Sequence, residues 1–120
     1  MKGKILLVDN SVPLSKSVEF TLSRNNYRVD AVSDEGEALN KLASGTYLLV
    51  IINLKDINSY GLKTLDFLQS MGGDSSLPVL GLTTPVGGMN ASPLTTAGVT
   101  GWLAVPFSDE KLLNSIKKMC

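Results

Sequence analysis

The chain has 120 residues, eleven Lys/Arg against eleven Asp/Glu, no His and one Cys, with only 18% of its residues charged. That length suits one domain with a sizeable core, read here as a single domain over 1–120, and the balanced charge leaves no basic footprint for nucleic acid or anionic lipid. A lone Cys120 excludes an internal disulfide, and the lack of His removes the commonest transition-metal ligand and the imidazole general base.

The first element is the run Lys4-Ile5-Leu6-Leu7-Val8, ending at Asp9. It lacks polar alternation, as a strand covered on both faces does. Pro13 then falls in the first turn of a helix from Val12 to Arg24, where its missing N–H costs little. Leu14, Val18, Thr21 and Leu22 recur at helical spacing as its buried face, and Asn25-Asn26 ends it.

Tyr27 to Val32 reads as the second strand. Asp34 followed by Glu37 forms a capping box for a helix through Ala43, with Ala38, Leu39 and Leu42 on its buried side. Gly45 marks the turn into a third strand, Tyr47 to Ile52, apolar enough to occupy the middle of a sheet.

A polar loop from Asn53 to Tyr60 leads to a third helix carrying Leu62, Leu65, Phe67 and Leu68, closed by Met71-Gly72-Gly73. Pro78 opens the fourth strand, Pro78 to Leu82, at the position where a strand tolerates proline. Pro85, Gly87, Gly88 and Pro93 then argue against a long fourth helix. The expectation there is an irregular or short helix over Ser92 to Ala97, or a mobile loop. Gly101 to Ala104 is a short fifth strand, and Ser108, Asp109 and Glu110 give the last helix its cap and acidic first turn, with Lys117-Lys118 at its end. Leu112, Leu113 and Ile116 are its packing residues.

Strands alternating with helices predict an α/β, doubly wound, five-stranded parallel sheet in the flavodoxin-like order 2-1-3-4-5, a three-layer sandwich. No apolar segment approaches the roughly 18 residues of a membrane span, and no signal-peptide core is present, so the cytoplasm is the expected compartment. In this topology Asp9, Asn10 and Asn53 meet at the switch point, joined by Thr83 after the fourth strand and Val105-Pro106-Phe107 after the fifth.

Asp9 is the one weak metal candidate of this crevice, its alternative being a carboxylate that accepts hydrogen bonds from local amides. Asn53 supplies an amide, which cannot form an acyl phosphate, and its neighbour Leu54 offers no replacement. Asp56 is three residues further along the loop, and Lys55 is the nearest cation in sequence. Trp102, on a short edge strand, either closes the core or anchors a partner.

This pattern resembles the CheY-like receiver domain of two-component response regulators over residues 3 to 118. The resemblance rests on Asp9-Asn10 after ILLV, Asn53 ending strand three, Gly61 eight residues on, Thr83 thirty residues after Asn53, Trp102, and Pro106-Phe107. It implies a crevice that binds Mg²⁺ through an acidic pair and the strand-three Asp, and takes a phosphoryl group onto that Asp from a histidine kinase. It also implies a Lys and a Ser/Thr that couple the phosphate to the face of helix four, strand five and helix five. Asp9 keeps one acidic position and Thr83 the hydroxyl. Asn10 replaces the second acid, Asn53 the phosphoacceptor, and Val105 the lysine, while Ile57 stands where many receivers have Pro.

Those departures lead to a degenerate receiver, or pseudo-receiver. It is expected to be a non-enzymatic, phosphorylation-independent protein-interaction module using the face around Trp102, Pro106 and Phe107. Its expected partners are a protein or output domain, a histidine kinase or a second copy of itself, with no nucleic acid, no membrane and no required cofactor. The alternative is a working phosphoacceptor receiver inactivated by an engineered Asp-to-Asn change at Asn53, which leaves Asn10 and Val105 unexplained.

Overall fold

A computed structural model of the chain describes residues 3–9, 12–33, 35–44, 47–53, 77–83, 101–104 and 107–119; the side chains of Val12, Glu35, Leu39, Ser44, Thr83 and Trp102 are outside that description. Strands β1 (Gly3–Val8), β2 (Tyr27–Val32), β3 (Leu49–Asn53), β4 (Val79–Thr83) and β5 (Gly101–Ala104) form one sheet in the order β2-β1-β3-β4-β5. Every neighbouring pair is parallel. The described helices are α1 (Val12–Arg24), α2 (Glu35–Ser44) and a C-terminal helix (Asp109–Met119).

The unbroken apolar run of β1 follows from burial on both faces. Ile5 and Leu7 face one core layer with Leu49, Ile51, Leu80 and Leu82 of the sheet, Val18 and Leu22 of α1, and Leu112 and Ile116 of the C-terminal helix. Leu6 and Val8 face the other layer with Val50, Ile52, Val79 and Ala38 of α2. Each such side chain withdrawn from water contributes about 1.5–3 kcal/mol, so β1 and β3, buried on both sides, anchor the sheet.

The helix ends follow local chemistry. Asn26 closes α1 at φ 69°, in the left-handed region that Asn tolerates. The Asn25 side chain donates to the Thr21 carbonyl at 2.7 Å, satisfying one of the acceptors a helix end leaves open. Ser108 caps the C-terminal helix, its hydroxyl accepting from Lys111 N–H at 3.2 Å.

The limits of β3 and β4 differ from the sequence expectation by one or two residues at each end. β3 starts at Leu49 rather than Tyr47, although Leu48 N–H already donates to the Lys4 carbonyl at 2.7 Å, and it runs on to Asn53, which pairs with Leu82. Apolarity marks the core of a strand and misses a polar residue at its end. β4 starts at Val79, because Pro78 has no N–H for the ladder; its carbonyl still accepts from Val50 N–H at 3.1 Å. The expected third helix and the short helix over Ser92 to Ala97 lie outside the described residues, as does Asp34 of the expected capping box.

Candidate functional site

The register of the sheet builds the site. Val8 lies beside Ile52 in the β1–β3 ladder, so the next residues, Asp9 and Asn53, are lateral neighbours at the C-terminal edge. The two-residue period that turns Ile5, Leu7, Leu49 and Ile51 toward α1 carries on to both of them. Asp9 remains tied to the sheet by its own N–H, which donates to the Val32 carbonyl at 3.0 Å.

Asn53 Nδ2 donates to Asp9 Oδ1 at 2.8 Å. A carboxylate only accepts, so the nitrogen end of the amide must face it and the orientation of Asn53 follows from chemistry. Asp9 is only 6% exposed, and its other oxygen, Oδ2, is buried as well. Withdrawing a carboxylate from water is costly, and a charge-assisted hydrogen bond from a neutral amide offsets part of that cost without adding a second charge.

A hollow of about 260 Å³ opens beside Asp9, lined by Ser15, Lys16 and Glu19 of α1, by Ala31, Val32 and Ser33 at the end of β2, and by Glu37 of α2. None of these residues belongs to the crevice expected from the sequence. The available signal was Ser15 and Glu19, one helical turn apart beside the buried stripe of α1.

The other expected site residues are placed as follows. Thr83 ends β4, its backbone beside Ala104; its side chain is outside the described residues. Trp102 lies on the edge strand β5 opposite Gly81, again with its side chain outside the description. Phe107 is half-buried and packs against the core layer shared by α1 and the C-terminal helix, so at least part of its ring serves packing. Asn10, Lys55, Asp56, Val105 and Pro106 lie outside the described residues. Among the described residues no three or more His, Cys, Asp or Glu side chains are grouped to hold a metal ion, and no helix is long and apolar enough to cross a membrane.

Two further polar contacts hold the framework around the crevice. Thr21, buried in α1, donates its hydroxyl to Asp109 Oδ1 at 2.9 Å and joins α1 to the first turn of the C-terminal helix. At the opposite edge of the sheet the Tyr47 hydroxyl donates to Asp30 Oδ2 at 2.7 Å, and the Lys4 ammonium lies 4.0 Å from the same oxygen and 4.6 Å from the centre of the Tyr47 ring. Burial, then the Asp30 hydrogen bond and charge, push the Tyr47 hydroxyl from 10.0 up to about 12, with Arg28 opposing.

Comparison with known proteins places these features in a family. Residues 5–117 match the family described as response regulator receiver domain. Response regulator MprA of Mycolicibacterium vanbaalenii is 31% identical over 119 residues, 99% of this chain and 51% of that protein. Response regulator ArlR of Staphylococcus saprophyticus subsp. saprophyticus is 28% identical over 116 residues, 97% of this chain and 51% of that protein. The chain therefore spans about half the length of these curated relatives. The crystal structure of Vibrio cholerae chemotaxis protein CheY4 superposes with a TM-score of 0.86 at 28% identity, covering 100% of both chains.

Proposed function

The chain belongs to the response regulator receiver domain family and hence to two-component signalling, and we propose that it is a degenerate receiver that signals by protein contact without phosphorylation at position 53. The observation that carries this reading is the Asn53 amide donating to Asp9. The residue at the end of β3 cannot attack a phosphoryl donor, because an amide has no carboxylate oxygen to form the acyl phosphate, and its N–H is committed to the neighbouring carboxylate.

Two sequence features support the same reading. Asn10 leaves the crevice one carboxylate short of an acidic pair, and Val105 before Pro106 offers no ammonium to neutralise a bound phosphate. A receiver that lost only its acceptor, by an Asp-to-Asn change at 53, would retain both groups. The loss of three functions together favours a chain that does not depend on the phosphoryl group.

In this role residues 1–120 act as one non-enzymatic interaction domain. Its contact face is the edge strand β5 with Trp102 and the following Pro106 and Phe107, offered to an output domain, a kinase or a second copy. Charge balance disfavours nucleic acid as the direct partner of this domain, and the cytoplasm is its proposed compartment. The single tryptophan makes the reading testable by its indole N–H resonance. Acetyl phosphate and Mg²⁺ together should leave that resonance and its β4 and β5 neighbours unchanged. A new, slowly exchanging set of peaks at this face would contradict the reading.

A further inference from the structure

Resemblance to receivers implies a Mg²⁺ ion at the crevice, and the described residues do not fit one. Magnesium requires oxygen ligands at about 2.0–2.1 Å in near-octahedral array and is usually held by one or two carboxylates with several waters. Among the described residues Asp9 is the carboxylate that meets Asn53 at the switch point, with Glu19 and Glu37 along the hollow beside it; its Oδ1 accepts the Asn53 N–H at 2.8 Å and its Oδ2 is buried. An ion bound to Oδ1 in that direction and the amide hydrogen cannot occupy the same space. Rotating the amide to offer its oxygen to the ion removes the donor from Asp9.

We infer that the Asn53 amide takes the place of the cation: it supplies internally the positive partner that a buried Asp9 needs, and so makes the crevice independent of divalent metal. The inference deepens the proposed function of the same crevice. It also has a consequence that the proposed function lacks. Asn53→Asp replaces the donor by a second carboxylate beside the first, and like charges that close repel unless a cation lies between them. That variant therefore turns a metal-independent fold into a metal-dependent one.

The test is thermal unfolding of the chain and of Asn53→Asp, each in EDTA and in MgCl₂ with ionic strength matched by NaCl. A site of about 1 mM affinity would raise the melting temperature by several degrees at ~10 mM Mg²⁺. The chain should show no such rise. Asn53→Asp should melt below the chain in EDTA and recover several degrees in MgCl₂. A rise of that size in the chain itself, or no response in a folded Asn53→Asp, overturns the inference.

Titrating the unsubstituted chain with MgCl₂ while following the Asn53 side-chain amide by NMR decides the matter even where the variant does not fold. An unmoved amide supports internal closure, and a saturable shift refutes it. Metal binding without phosphoryl gain would sink this inference and leave the proposed function standing; phosphoryl gain on the chain would sink the proposed function by itself.

Discussion

The Asn53 amide reaches Asp9 Oδ1 at 2.8 Å from 44 residues away in sequence, and the two meet because the β1–β3 register sets Val8 beside Ile52. Sheet topology thus decides which residues form the crevice, and the residue types decide what it can do there. An Asp opposite a second Asp would call for a cation. An Asp opposite an Asn receives a hydrogen bond on the oxygen that faces it.

Removing the donor tests the energetic side of this pair. Asn53→Ala leaves Asp9 Oδ1 inside the protein without that N–H, and the desolvation cost of such an acceptor is about 1–3 kcal/mol, with charged groups at the upper end. Urea unfolding should show a loss in that range with an unchanged m-value. A loss below about 0.5 kcal/mol, the level of an ordinary surface substitution, would mean the bond contributes little.

Tyr47 makes a prediction at high pH. Its hydroxyl is held protonated in the folded chain, with a pKa of about 12 against 10.0 for the free side chain. Its stabilising share is therefore complete below pH 10 and is lost as pH rises from about 10 toward 12. Tyr47→Phe should cost about 1 kcal/mol near neutral pH, since half-buried Asp30 can regain water, and should show a shallower fall in stability across the alkaline window. Denaturant unfolding at pH 8 and pH 11 measures both effects; parallel pH profiles would contradict the assignment.

The Thr21–Asp109 bond joins α1 to the C-terminal helix. Thr21→Val keeps the shape and deletes the hydroxyl, while Asp109 is exposed and can hydrate, so a loss of about 0.5–1.5 kcal/mol is expected. Amide exchange should quicken in the first turn of the C-terminal helix ahead of the sheet. Uniform quickening across the sheet would show that Thr21 acts through the core instead.

Trp102 carries the partner prediction. If β5 is the contact face, Trp102→Ala should weaken binding to an identified partner by more than about 1 kcal/mol while circular dichroism stays native. Unchanged affinity in a folded variant would move the interface elsewhere.

Most of the framework is legible in the sequence because its signals are local or periodic. α1, β2 and β5 have the limits that apolar spacing, Asn25-Asn26 and the short run at Gly101 set for them. The parallel order follows from strands that alternate with helices, and the closeness of Asp9 to Asn53 follows from that order. The direction of the bond between them is another matter. The sequence leaves Asp9 between a metal contact and a carboxylate bound to local amides, whereas a donor to Oδ1 is a side-chain amide from a different strand. Pairings such as Thr21 with Asp109 and Tyr47 with Asp30 have no sequence signature, because they depend on how helices seat on the sheet and on lateral register. The hollow beside Asp9 has no sequence signature for the same reason: Ser15, Lys16 and Glu19 line it only because α1 is packed against the end of β2.

The most direct measurement is intact mass after incubation with acetyl phosphate and Mg²⁺, run on the chain beside Asn53→Asp. The chain should gain no phosphoryl group, and the Asn53→Asp lane then shows whether the acceptor alone was lost or Asn10 and Val105 disable the crevice too. A stable gain of one phosphoryl group on the unsubstituted chain would contradict the account and direct attention to Asp9 or Asp56.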